Sequence, residues 1–242
     1  MIGLIGAMEE EVVLLRASME HTESVTEGGF EFFSGVLEGK PVALLRCGIG
    51  KVNAAVGCAL LIHNYKPSLV INSGSAGGID TSLNIGDAVI AEGLMYHDVD
   101  VTGFNYKPGQ VPGQPAIFRA PEKLIDAAEK AVKALKAEAL LPENFNYRRG
   151  IVGSGDVFMH QDERIKAARR LFPDILAVEM EGAAIAHTCL LLGIPAVIIR
   201  SISDVAGKES PAAFEEFLPV ASKHSSRIVS RIVRELPVPG NS

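Results

Sequence analysis

The sequence lacks the cysteine pattern that disulfide-rich and zinc-binding proteins need. Its three cysteines, Cys47, Cys58 and Cys189, lie in apolar stretches and form no CxxC pair. Isolated cysteines in odd number predict neither a disulfide framework nor a zinc site. They favour a reducing compartment, so we expect a cytoplasmic protein.

Long apolar runs and an excess of positive charge are also missing. No segment approaches the roughly 20 apolar residues of a membrane helix, and the apolar N-terminus runs directly into Glu9, Glu10 and Glu11, unlike a secretory signal. The formal net charge is −6, whereas nucleic acids and anionic membranes bind clustered Lys and Arg. We therefore expect no nucleic acid and no membrane as partner, but a small molecule or a second copy of the chain.

Motifs for metals, dinucleotides and serine nucleophiles are absent as well. The histidines show no HExxH spacing, and we interpret the HDVD segment (residues 97–100) as a solvated loop instead of a metal site. The GIG turn (residues 48–50) has Asn53 where a dinucleotide motif needs Gly or Ala. No GxSxG motif occurs. We predict no metal and no cofactor.

The composition is that of one large domain over residues 1–242, with 48% hydrophobic and 21% charged residues. Short runs rich in Val, Ile and Leu predict buried strands. These runs cover residues 2–5, 42–45, 69–71, 88–91, 175–178 and 196–199.

Stretches with helical spacing alternate with these runs. Apolar residues recur every three or four positions from Leu124 to Leu135 and from Phe214 to Ile232. The alternation predicts an α/β fold, a three-layer α/β/α sandwich with a mixed central sheet. Residues 103–115 are interpreted as a long loop, and residues 141–150 as an irregular surface excursion.

Acidic side chains follow several of the predicted strands, at the edge where α/β proteins bind ligands. Glu11 follows the first run and Asp204 the last. Glu179 and Glu181 flank Met180, so in extended structure both carboxylates would point to one side and Met180 to the other. Each acid alone could be a helix cap or a partner of a helix dipole. Their joint placement after successive strands favours a site.

Two segments of small residues follow strands in the same way. The GIG turn and the NSGSAGG segment (residues 72–78) allow close approach of the backbone to a ligand, and Ser73 and Ser75 offer hydroxyls. The GIG segment is interpreted first as a tight turn between a strand and a helix, whereas the NSGSAGG segment could equally be a turn or a ligand-binding segment.

Several short segments occur in a fixed order along nearly the whole chain. They are GAMEEEV (residues 6–12), SGSAGG (73–78), HDVDVT (97–102), SGD (154–156), VEME (178–181) and ISDV (202–205). In combination they resemble the bacterial 5′-methylthioadenosine/S-adenosylhomocysteine nucleosidases of the nucleoside phosphorylase superfamily. The resemblance implies a nucleoside phosphorylase-like fold, an adenine nucleoside as substrate and a homodimer.

The resemblance also implies a role for each matching residue. The general base that activates water falls on Glu11, and the acid that protonates purine N7 falls on Asp204, with Ser203 beside it. Glu181 matches the acid that binds the ribose hydroxyls. The remaining matches are Met180 packing on the sugar, Arg200 and Ser75 near the water, Phe158 stacking on adenine, the Met159 backbone at the base edge, Met8, Ile49 and Phe214 around the 5′-alkylthio group, and Val101, Phe104 and Pro112 reaching into the neighbouring subunit's site.

This set of groups suits N-glycosidic cleavage, which develops positive charge on the ribose and negative charge on the leaving purine. An acid at the base and an activated water at the sugar meet that need. The resemblance implies hydrolysis of 5′-methylthioadenosine, S-adenosylhomocysteine and 5′-deoxyadenosine, in methionine salvage and methyl-cycle detoxification.

Other functions stay open. A futalosine-type purine nucleosidase would differ mainly in the base and 5′ pockets. A purine nucleoside phosphorylase needs a phosphate, which the acidic run ending at Glu11 would repel, although Arg46 and Arg200 could attract it. A nucleoside-binding protein without activity would gain nothing from three buried acids.

Overall fold

A computed structural model of the chain describes residues 1–205 and 210–237. Within this part, the ten strands of the sheet are β1 (Ile2–Gly6), β2 (Glu20–Glu27), β3 (Phe30–Leu37), β4 (Lys40–Arg46), β5 (Val70–Gly78), β6 (Ala88–Tyr96), β7 (Phe118–Arg119), β8 (Tyr147–Ser154), β9 (Ile175–Glu179) and β10 (Ala196–Val205). The α-helices are α1 (Glu9–Ala17), α2 (Lys51–Tyr65), α3 (Glu122–Ala137), α4 (Asp162–Leu171), α5 (Gly182–Leu191) and α6 (Ser210–Glu235). Every apolar run used to predict a strand falls in or overlaps one of these strands.

The sheet is mixed and part of it closes on itself. β1 pairs in parallel with β4 and β5, whereas β2, β3 and β4 form an antiparallel meander. β5 also pairs with β10 along its length, and its glycine-rich end turns away from β1 to pair with β9. Because β9, β8, β6 and β10 follow in order, these strands and β5 form a closed ring.

Helices cover both faces of the sheet, as alternating side chains along β4 show. Val42 and Leu44 belong to an apolar cluster that includes residues of α1, α3 and α6, whereas Ala43 and Leu45 belong to a second cluster that includes residues of α2 and α5. This alternation is what a strand buried on both faces requires. The predicted three-layer α/β/α sandwich with a mixed sheet is confirmed.

The predicted loop over residues 103–115 is confirmed, apart from its overlap with a short 3-10 helix over Thr102–Phe104. The predicted surface excursion over residues 141–150 is wrong in its second half, because β8 begins at Tyr147 between β6 and β9. Leu141 and Phe145 are also buried. Arg149 obscured this strand in the sequence, and its charge pairs with Glu92 at 2.9 Å beside the sheet.

Among residues 1–205 and 210–237, no helix is both long and apolar enough to cross a membrane.

Candidate active site

A cavity of about 300 Å³ lies where β1, β5, β9 and β10 end. Its size lies at the small end of the range for ligand pockets. It brings together the largest group of residues selected from the sequence, namely Met8, Glu11, Ile49, Ser75, Phe158, Met180, Glu181, Ser203, Asp204 and Phe214. The cavity therefore lies at the carboxyl ends of strands, where ligands bind in α/β sheets.

Glu11 reaches this cavity from the first turn of α1. Four groups donate hydrogen bonds to its carboxylate: the amides of Ala7 (2.8 Å), Met8 (3.2 Å) and Ser75 (3.0 Å), and the Ser75 hydroxyl (3.1 Å). A Cβ at Gly74 would come within 2.8 Å of Glu11 Oε1. Glycine at this position therefore allows the buried carboxylate to lie directly against β5.

Glu179 lies at the end of β9 and forms a buried ion pair with Arg200. Arg200 Nη2 lies 2.5 Å from Glu179 Oε2 and donates a second hydrogen bond to Asn72 at 2.6 Å. Burial opposes ionisation of Glu179, but the charge of Arg200 and a hydrogen bond from Ser154 hold its pKa below the ordinary value. Arg200 thus lies behind Glu179 and does not line the cavity.

Glu181 comes after the strand, at the start of α5, and its Oε1 accepts a hydrogen bond from Gly50 N–H at 2.8 Å. Burial, and next the neighbouring charge of Glu179, raise the pKa of Glu181 above the ordinary carboxyl value. The prediction that Met180 points away from both acids is wrong. β9 ends at Glu179, so the strand alternation stops there, and Met180 lines the cavity too.

Asp204 lies buried near the end of β10. Ser203 Oγ donates a hydrogen bond to Asp204 Oδ1 at 3.0 Å, and a Cβ at Gly77 would lie 3.2 Å from Asp204 Oδ2. The register between β10 and β5 shifts between Ile202 and Asp204. A bulge of this kind re-aims side chains near active sites, and no pattern in the sequence signals it.

Apolar side chains form the remaining wall of the cavity. The rings of Phe158 and Phe214 meet edge to face with their centroids 5.9 Å apart. Ile49 and Phe158 are partly exposed at the rim, so the cavity is open on this side. The combination of four buried carboxylates, including Glu179, with an apolar, aromatic wall suits a ligand that carries hydroxyl groups and a flat ring.

The other residues selected from the sequence lie outside this cavity. The Met159 side chain packs in a separate apolar cluster with α4. The role implied for Met159 at the base edge involves only its backbone. Val101, Phe104 and Pro112 lie in or beside the loop over residues 103–115, and none of them lines the cavity. Phe104 is 78% exposed.

Two polar residues next to the site, Ser154 and Asn72, could not be identified as functional from the sequence. Ser154, in the SGD segment, donates to Glu179 and accepts a hydrogen bond from Ala183 N–H at 2.7 Å. Asn72 contacts Arg200 from β5. Short polar residues at strand ends are common, so only the fold identifies these two.

In the part of the chain that the structure describes, no group of three or more His, Cys, Asp or Glu side chains could hold a metal ion.

Comparisons with known proteins agree with this geometry. Residues 1–234 match the family model described as the phosphorylase superfamily. The chain is 49% identical to a 5′-methylthioadenosine/S-adenosylhomocysteine nucleosidase of Lysinibacillus sphaericus (strain C3-41), over 97% of this chain and 99% of the relative.

Solved structures of similar proteins contain related ligands. A nucleosidase of the same description from Colwellia psychrerythraea 34H, in complex with adenine, superposes with a TM-score of 0.93 at 44% identity, covering 97% of this chain and 95% of that one. The Neisseria meningitidis nucleosidase, in complex with methylthio-immucillin-A, superposes with a TM-score of 0.92 at 44% identity, covering 97% and 99%.

Proposed function

Because this chain belongs to the phosphorylase superfamily and, within it, to the 5′-methylthioadenosine/S-adenosylhomocysteine nucleosidases, we propose that it hydrolyses the N-glycosidic bond of these two nucleosides. The products are adenine and the 5-substituted ribose. 5′-Deoxyadenosine is a further expected substrate because it shares the adenine and the unphosphorylated 5′ carbon. The reaction serves methionine salvage and removal of the methyl-cycle by-product.

The main support for this proposal is that Glu11, Glu181 and Asp204 all line one cavity. Glu11 and Asp204 lie against the same strand, at Gly74 and Gly77. Two separated carboxyl groups with room between them are the arrangement of hydrolases that attack a sugar with water.

Each carboxyl group then has its own step. Glu11 accepts a proton from water as the water oxygen bonds to C1′, and the Ser75 hydroxyl beside it orients that water. Asp204 donates a proton to N7 of the purine while the C1′–N9 bond breaks. Ser203 donates a hydrogen bond to Asp204 Oδ1, and this bond helps to orient the carboxyl group for its proton transfer to the base.

The sugar, base and 5′ group have separate partners in the proposed complex. Glu181 accepts hydrogen bonds from the ribose hydroxyls, and Met180 packs on the sugar. Arg200 does not contact the substrate and acts through its ion pair with Glu179. The adenine stacks on Phe158 and meets the backbone of Met159, while Met8, Ile49 and Phe214 surround the 5′-alkylthio group.

Water is the better nucleophile because the anion-binding groups are already occupied. The amides at the start of α1 and in β5 would suit a phosphate, but they donate to Glu11 instead. Arg46 pairs with Glu31 and Glu9, and Arg200 pairs with Glu179. A phosphate dianion would therefore meet a carboxylate without a free cation among the described residues that line the cavity.

We further propose that the protein acts as a homodimer whose partner supplies Val101, Phe104 and Pro112 to the 5′ side of the site. Exposed apolar side chains support this proposal: Phe104 is 78% and Val52 72% exposed, and Ile49 at the cavity rim is 52% exposed. Apolar side chains grouped on a surface mark sites of protein association.

We also propose that the reaction takes place in the cytoplasm. Cys47, Cys58 and Cys189 are all free and buried, which suits a reducing compartment.

The decisive experiment is a panel of adenine-release assays on the purified protein. We expect rapid release from 5′-methylthioadenosine and S-adenosylhomocysteine, and little cleavage of a futalosine-type nucleoside. A preference for the latter would assign the chain to the related nucleosidases. Binding without turnover would show a nucleoside-binding protein instead.

A further inference from the structure

A cluster of three charged residues lies beside the active site without lining it. Lys51 Nζ lies 2.6 Å from Asp98 Oδ2, which also accepts a hydrogen bond from Asp156 N–H at 2.9 Å. Asp156 Oδ1 in turn accepts the Lys51 backbone N–H at 2.8 Å. This Lys51 cluster (Lys51, Asp98 and Asp156) joins the start of α2 to the chain segments that follow β6 and β8.

The cluster fixes the first amide of α2. The helix is capped by Gly50, whose φ is +96° and which has no side chain to bind the orphan amides, so Asp156 performs that function from another part of the chain. The preceding amide, Gly50 N–H, donates to Glu181 Oε1 at 2.8 Å. Two consecutive amides therefore bind two carboxylates, one in the cluster and one in the active site.

The chain around the cluster is built for close approach. A Cβ at Gly155 would lie 2.4 Å from His97 Cε1 and 2.9 Å from Asp98 Cγ. Only glycine lets Asp156 come near enough to Asp98 for the hydrogen bond between them. The cluster therefore explains why the SGD segment has glycine at its centre and aspartate at its end. The proposed catalytic steps do not explain either residue.

We propose that Lys51, Asp98 and Asp156 are positioning residues that hold Gly50 N–H against Glu181 and so orient this carboxylate for the ribose hydroxyls. The inference rests on the proposed function, because it requires Glu181 to bind ribose. No residue of the cluster contacts the substrate itself.

Loss of the cluster would weaken ribose recognition in a specific way. Glu181 is buried next to Glu179, and the hydrogen bond from Gly50 is a favourable contact that opposes the resulting rise in its pKa. When Gly50 N–H moves away, the carboxylate is less well oriented and less readily ionised. A substrate that lacks one of the ribose hydroxyls uses this carboxylate less, so its cleavage should change less.

The test compares 5′-methylthioadenosine with its 2′-deoxy and 3′-deoxy analogues in Asp156→Ala. The Asp156 side chain is 49% exposed, so the variant should fold, which a melting curve checks. We expect the preference of kcat/KM for the ribose substrate to fall about tenfold, the effect of one lost hydrogen bond to a charged group, with an acid limb shifted to higher pH. Asp156→Asn keeps an acceptor for Lys51 N–H and should restore most of the preference.

Asp80→Ala is the matched control. Asp80 also accepts a backbone amide, from Ser82 at 2.8 Å, and pairs with Arg148 at 3.0 Å, but it does not line the cavity. An unchanged preference in Asp156→Ala, or an equal loss in Asp80→Ala, would overturn the positioning role. Failure of the wild-type protein to cleave 5′-methylthioadenosine would instead overturn the proposed function.

Discussion

At the scale of single residues, the site uses the same functional group in three different environments. Glu11 receives hydrogen bonds from amides and a hydroxyl, Glu181 receives one from Gly50, and Asp204 lies beside the Ser203 hydroxyl. Because surroundings decide whether a carboxyl group takes up, gives or holds a proton, these differences are the physical basis for assigning three different roles.

Replacement of Glu11 tests the role of the base. Glu11→Gln keeps the shape of the side chain but removes its ability to accept a proton from water. We expect kcat to fall about 10²-fold to 10⁴-fold, with binding of 5′-methylthioadenosine changed little, as measured by adenine release and calorimetry. Glu10→Gln, at an exposed position of the same helical turn, should retain wild-type activity. Equal activity of both variants would remove Glu11 from the mechanism.

The pH dependence of kcat/KM tests the role of Glu181. Burial raises its pKa, and the protonated form, which predominates below that pKa, is a weaker acceptor for ribose hydroxyls. We therefore expect kcat/KM for 5′-methylthioadenosine to fall as the pH drops, beginning above the ordinary carboxyl range. The 2′-deoxy and 3′-deoxy analogues should show less of this loss. An acid limb confined to pH values near 4 would contradict the prediction.

At the scale of elements, runs of Val, Ile and Leu predicted the strands that carry the site because β1, β5, β9 and β10 are covered on both faces. β2 was not predicted from the sequence because all of its residues are exposed and most of them are polar. β8 was not predicted because the first half of the strand is charged and does not form an apolar run. Two features could not be predicted: the register shift between β10 and β5 near Ile202, and the ion pair of Arg200 with Glu179. Both depend on strands that are distant in sequence coming together.

The C-terminal end of α6 depends on one buried lysine from β4. Lys40 Nζ donates to the carbonyl oxygens of Val233 (2.6 Å), Arg234 (2.8 Å) and Leu236 (2.5 Å). Lys40→Met fills the same space but leaves these carbonyls without a donor. We expect the free energy of unfolding in urea to fall by about 2 kcal/mol.

Lys133→Met, on the exposed side of α3, is the control for the stability measurement and should unfold at the wild-type urea concentration. If Lys40→Met also matches the wild type, Lys40 does not stabilise the helix end.

At the scale of the whole molecule, the proposed dimer links assembly to activity. Phe104→Asp places a charge in the proposed interface, so we expect the molar mass in solution to halve and kcat/KM to fall about tenfold or more. Light scattering and adenine release measure the two effects. Val25→Asp, at an exposed apolar position on β2, should change neither. A wild-type protein that is already monomeric and active would contradict the dimer proposal.

In the proposed reaction, water attacks the sugar of an adenine nucleoside in this cavity. The most direct test follows adenine release from 5′-methylthioadenosine with and without phosphate and identifies the sugar product by mass. We expect the same rate of adenine release in both conditions and free 5-methylthioribose as the product. A rate that depends on phosphate, with the sugar recovered as its 1-phosphate, would contradict it.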